Sequence, residues 1–162
     1  MSKLFVIESS AKTMEEALKI TSTKLLEEGC VKNGFYESCL EREREYPTGL
    51  TDYCPVALPH TCKDYVKEEA ICVLRLNEPV KFRSMEDIEK EIDVRIVMNM
   101  ALLDDDKHIV IISRIIRNLK NTEFVRKLKT LELAELEKFL NKSILILQDD
   151  NENDKQKNLG GK

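Results

Sequence analysis

The stretches AICVLRL at 70–76 and VRIVMNMALL at 94–103 restrict the possible folds of this chain more than any other feature. Both are nearly unbroken apolar runs rich in β-branched side chains, where a half-exposed strand would alternate apolar with polar. Strands of this kind are covered on both faces, and the cover is helical. The remaining segments supply it. KLFVI opens as a short strand and leads into SSAKTMEEALKITSTKLLEEG. There Thr13 and Glu16 have capping-box spacing, Ala17, Leu18, Leu25 and Leu26 supply an apolar face, and Gly29 is a stop. A second helix is expected from about Gly34 to Glu45, with Phe35, Cys39 and Leu40 inward and the charges of EREREY in solvent, ended by Pro47 and Gly49.

VALP reads as the end of a strand and EPVKF as a further short one. After the acidic turn DDDK, Ile109, Ile112, Ile115, Ile116 and Leu119 recur at helical spacing, and Asp104 to Asp106 suit that helix's N-terminus. TEFVRKLKT, with Thr122 as its cap, and LELAELEKFLNK are two shorter helices, while SILIL fits either an edge strand or a continuation of the last helix. Strands alternating with helices indicate an α/β fold. One domain over residues 1–147 is expected, followed by a polar tail, 148–162, too poor in apolar residues to order itself.

Composition excludes several classes. The 26 Lys and Arg are balanced by 30 Asp and Glu, so the basic excess of a nucleic-acid binder is missing. No apolar run approaches the roughly 20 residues that span a bilayer, and MSKLFVIESS lacks the regions of a secretory signal, so a soluble cytoplasmic protein is expected. Five cysteines, an odd number, argue against a disulfide framework. Cys54, His60 and Cys62 lie close together, yet no CxxC occurs, and structural zinc takes four ligands in compact paired spacings. No metal and no cofactor are expected.

The chain has no GxxxxGK[ST] loop, GxGxxG, GxSxG elbow or HExxH pair, so nucleotide, dinucleotide, hydrolase and zincin readings lack their parts. The reacting groups left for a catalyst are its two histidines, His60 and His108. A mostly neutral imidazole offers a ring nitrogen lone pair that can attack phosphorus. Phosphoryl transfer asks chiefly for positioning and charge stabilisation beyond that nucleophile, and a guanidinium that grips two phosphate oxygens is its natural companion.

LEREREYPTGL followed by PVALPH resembles the signature of the IIA phosphocarriers of the bacterial sugar phosphotransferase system, fructose and mannitol superfamily. Arg42, Glu43, Pro47, Thr48, Gly49, Pro59 and His60 fill its places, and DDDKHIVIISRII is similar to the family's acidic turn, histidine and apolar helix. The resemblance implies a central mixed β-sheet flanked by helices on both faces. It also implies that His60 accepts a phosphoryl group from the phosphohistidine of the general carrier protein and donates it to a cysteine of the IIB subunit, which serves the membrane IIC component. Arg42 would hold phosphate oxygens, His108 would stand beside His60, and Thr48 and Glu43 would belong to the phosphoryl-binding site. The long spacing from Thr48 to His60, and Thr61 and Cys62 where related branches carry glycine after the histidine, look like the galactitol branch. The alternative is a regulatory module of the nitrogen-related type, in which phosphorylation of His60 switches a partner surface.

Overall fold

The computed structural model describes residues 2–51 and 54–145. Five strands, β1 (Lys3–Ser9), β2 (Gly49–Leu50), β3 (Val56–Ala57), β4 (Ala70–Arg83) and β5 (Glu91–Ala101), form one mixed sheet in the order β1-β4-β5-β3-β2. β1 runs parallel to β4 and β3 parallel to β5, while β4 with β5 and β2 with β3 are antiparallel. The five helices are α1 (Met14–Glu27), α2 (Phe35–Glu45), α3 (Asp105–Leu119), α4 (Thr122–Thr130) and α5 (Leu133–Leu140).

The double burial expected of 70–76 and 94–103 is met by helices on both faces. Ile71, Val73, Ile96, Met98 and Met100 face Ile111, Ile115 and Leu119 of α3, with α4 and α5 completing that layer. Their alternate neighbours look the other way: Leu74 and Val97 pack with Ala17 of α1, and Ala70, Cys72 and Ala101 pack with Leu25, Phe35 and Cys39. Alternate side chains of a strand point to opposite faces, so an all-apolar strand serves two cores at once.

Several local expectations are corrected. EPVKF is no separate strand: β4 runs on to Arg83, with an irregularity after Arg75, which faces Ile96, and before Val80, which faces Val94. Pro79 lies inside that irregularity, where a residue without an N–H does no harm to the ladder. Leu26 and Ile109 are exposed, and Ile111 takes the inward place in α3. Asn121 instead of Thr122 caps α4, its side chain accepting from the N–H groups of Glu123 and Phe124. Within EREREY, Glu43 is buried. The last helix continues as a π-helical turn, Asn141–Leu145, so SILIL up to that point is helical. The expected tail lies outside the described residues.

The helix ends follow ordinary capping chemistry. Thr13 accepts from the N–H of Glu16, and Gly29 leaves α1 with a φ of 74° that favours glycine. Asp104 caps α3 through the N–H of Asp106. No helix among the described residues is long and apolar enough to cross a membrane.

Candidate active site

The parallel pairing of β3 with β5 creates the site. After Ala57, paired with Val97, the chain runs on beside β5 until the N–H of Met100 donates to the carbonyl of Pro59 (2.9 Å) and His60 bridges to Met100. β5 ends at Ala101 and turns through Leu102 to Asp104 into α3, which carries His108 in its first turns. Two parallel neighbours therefore deliver one histidine each to the carboxyl end of the sheet, where ligands of α/β proteins gather. The ring centroids lie 5.1 Å apart, tilted by 41°.

His60 is half-buried, and its Nδ1 lies 3.0 Å from the carbonyl oxygen of Leu58. A carbonyl can only accept, so Nδ1 carries the proton and donates, which leaves Nε2 with its lone pair. Burial pulls the pKa of His60 below its usual 6.5 despite the Leu58 bond, and the charges of Arg42 and His108 push it the same way. The ring is thus a neutral base with a defined tautomer. His108 is also held low, chiefly by burial; Asp105, Glu69 and Asp104 oppose that shift and Arg42 reinforces it. Its Nε2 is buried with no hydrogen-bond partner among the described residues. Lys107, the residue before it, pairs with Glu69 at 2.7 Å.

Arg42 lies in the last turn of α2 with its guanidinium carbon 5.6 Å from the centre of the Tyr46 ring, a cation–π distance. Arg44 points elsewhere, forming an ion pair with Glu15 (3.5 Å). Among the described residues, Arg42 alone adds its charge to both histidines. This arrangement can bring a neutral nucleophilic nitrogen, a second imidazole and a guanidinium to one phosphoryl group.

Glu43 and Thr48 are 3% and 4% exposed, respectively, too little for either to stand open to solvent. The N–H of Thr48 donates to Glu43 Oε1 (2.9 Å), and its hydroxyl donates to the same carboxylate (2.9 Å to Oε2). That hydroxyl in turn accepts from the N–H of Leu58 (3.0 Å), the residue whose carbonyl holds His60. Burial raises the Glu43 carboxyl above its usual 4.5, with the Thr48 hydrogen bonds pulling against it. Ser38 and Thr61, which motif reading passed over, share a short hydrogen bond between their hydroxyls. The available signal was Ser38's place one helical turn before Arg42. Leu103, Ile109 and Val110, all exposed, give the neighbourhood of His108 an apolar rim. Cys54 is buried and Cys62 exposed, and no group of three or more His, Cys, Asp or Glu among the described residues could hold a metal ion.

The family model for the phosphoenolpyruvate-dependent sugar phosphotransferase system, EIIA 2, matches residues 2–143. A mannitol-specific phosphotransferase enzyme IIA component of Halalkalibacterium halodurans is 30% identical over 132 residues, 80% of this chain and 84% of that protein. The galactitol-specific EIIA component of Escherichia coli K12 is 25% identical over 131 residues, 80% of this chain and 87% of that one. The alignment to the mannitol-specific component of Enterococcus faecalis, 35% identical over 78 residues, covers 46% of this chain and about half, 52%, of that protein. Among solved structures, the Escherichia coli complex of enzyme IIAMTL with phosphorylated enzyme IIBMTL contains a chain that matches with a TM-score of 0.69 and 22% identity, covering 90% of this chain and 99% of that one, a likeness of fold.

Proposed function

The chain belongs to the EIIA 2 family of the phosphoenolpyruvate-dependent sugar phosphotransferase system, mannitol- and galactitol-type components that move phosphoryl groups through a phosphohistidine, and from that premise we propose that His60 Nε2 is the phosphoryl acceptor. The observation that carries this reading is the Nδ1–H bond to Leu58, which leaves Nε2 as the nucleophilic nitrogen. In the first step, Nε2 attacks the phosphorus of the general carrier's phosphohistidine; the carrier's P–N bond breaks as the new one forms. In the second, a cysteine thiolate of the IIB subunit displaces His60 from phosphorus, forming a P–S bond and returning the imidazole. IIB then serves the membrane IIC component.

Arg42 grips the phosphoryl oxygens, where its fork of donors matches two of them. His108 donates to the same group or steadies the active ring. Both exchanges need short-lived docking, for which Leu103, Ile109 and Val110 supply apolar contact and the surrounding charges supply steering. The protein works in the cytoplasm. The sugar is a hexitol, with galactitol put first on the Thr48-to-His60 spacing and the Thr61–Cys62 pair.

Incubation with radiolabelled phosphorylated carrier tests the reading. An acid-labile, base-stable label absent from His60→Ala is expected, and it should pass onward to a IIB cysteine. Label that survives His60→Ala refutes His60 as acceptor; label that stops on His60 marks the regulatory module instead.

A further inference from the structure

We infer that α2 is clamped to the His60 strand by two side-chain tethers, Ser38–Thr61 and Glu43–Thr48–Leu58, and that Ser38, Thr61, Glu43 and Thr48 are positioning residues that set where Arg42 stands relative to Nε2 of His60. The inference rests on the phosphocarrier reading only for its consequence in catalysis; the geometry stands alone. On the helix, the anchors are Ser38, one turn before Arg42 and on the same face, and Glu43, the next residue after it. On the segment that follows β3, they are Leu58 and Thr61, which bracket His60. Each tether therefore joins a neighbour of the arginine to a neighbour of the histidine.

Packing holds the first turns of α2, where Phe35 and Cys39 lie against Cys72 and Ala101 of the sheet, and the tethers act further along, around Arg42. Among the other helices and strands, α2 packs chiefly against α1, and its N-cap, Gly34, offers no side-chain bond. The last turn of α2 is also bonded to β4, where the Arg83 guanidinium donates to the carbonyl of Arg44, and the two tethers join that helix to the chain around His60. The second tether also acts on the nucleophile itself, since Thr48 fixes the N–H of the residue whose carbonyl orients the imidazole. Thr61 is 5% exposed and Thr48 4%, so neither hydroxyl has an easy alternative in water. A misplacement of about 1 Å between reacting groups can cost on the order of 100-fold in rate.

Thr61→Val and Ser38→Ala break the first tether from either end, and Thr61→Ser restores the hydroxyl. The first readout needs no phosphoryl transfer: an NMR titration of the His60 ring. Arg42 and His108 are the charged or titratable groups that depress its pKa, so loosening α2 should let it rise in both broken variants, return in Thr61→Ser, and rise no further when Arg42→Gln is added. The second is the rate of phosphoryl acceptance, expected to fall roughly 10-fold to 100-fold in kcat, with KM for the carrier little changed. A His60 titration identical to wild type in folded Thr61→Val, or full-rate transfer by it, overturns the clamp. If Thr61→Val does not fold, Ser38→Ala decides by the same readings. If wild type takes no label while the titration shifts as expected, the clamp stands and the phosphocarrier reading falls.

Discussion

Replacing Thr48 with valine keeps the shape of the side chain and removes one oxygen from the middle of a buried chain of hydrogen bonds. The loss falls on both sides. Glu43 gives up a hydroxyl donor at 2.9 Å, and a hydrogen bond to a charged group contributes about 1.5–3 kcal/mol. The Leu58 N–H loses its acceptor, and a buried unsatisfied donor costs about 1–3 kcal/mol. The extra methyl returns about 0.8 kcal/mol at most. The net destabilisation is about 2–5 kcal/mol, or a Tm lowered by roughly 4–20 °C for a domain of this size. It should also depend on pH. Burial already holds the Glu43 carboxyl above 4.5, and losing the hydroxyl raises it further. A carboxyl raised in the folded state withdraws stability as pH climbs above its unfolded value. Urea denaturation at pH 5 and pH 8 should therefore show the larger loss at pH 8. A loss below about 1 kcal/mol at both values, or a larger loss at pH 5, would refute the role given to this hydroxyl; Thr48→Ser should stay close to wild type.

Because His60 is held below 6.5, phosphoryl acceptance should stay level from pH 8 down through 6.5 and decline only in more acid solution; Arg42→Gln should move that decline to higher pH in a pH–rate profile. Both histidines favour the neutral form when folded, so stability should be insensitive to them above about pH 6.5 and should fall as pH drops below it, read by thermal melts. Arg42→Lys should slow transfer roughly tenfold or more, since an ammonium lacks the two-pronged grip, whereas Arg44→Ala should leave transfer within about twofold and cost under about 1 kcal/mol. Gly49→Ala should destabilise by about 1–3 kcal/mol in denaturant titrations, because its Cβ would meet the Arg83 carbonyl oxygen at 2.6 Å and Ile92 Cδ1 at 2.8 Å.

Where the reading from residues succeeded, the signals were local. Continuous apolar runs announced the doubly covered strands, and the Thr13, Asp104 and Gly29 signals marked helix ends because capping depends on residues a few positions apart. Where it failed, the deciding interaction came from elsewhere. Ile109 fits the helical period of α3 yet lies outside, since the sheet contacts the stripe through Ile111, Ile115 and Leu119. By helical pattern alone Glu43 is one more solvated charge in EREREY, and by resemblance it belongs to the phosphoryl site, but Thr48, reached only after the chain turns at Pro47, folds back to satisfy its buried carboxylate. In both cases, periodicity shows that a face exists without saying which way it turns.

By itself, the sequence determined that the chain builds a sheet buried on both sides and that a proline and a histidine end one of its strands, because hydrophobic patterning and backbone restriction act over a few residues. Only the tertiary structure decided that this strand lies parallel to β5, bringing His60 within 5.1 Å of a histidine 48 positions along the chain. The Nδ1 tautomer and the two tethers around Arg42 were likewise its decision. Strand pairing and side-chain hydrogen bonds are made in space between segments distant in sequence, and no local pattern specifies them.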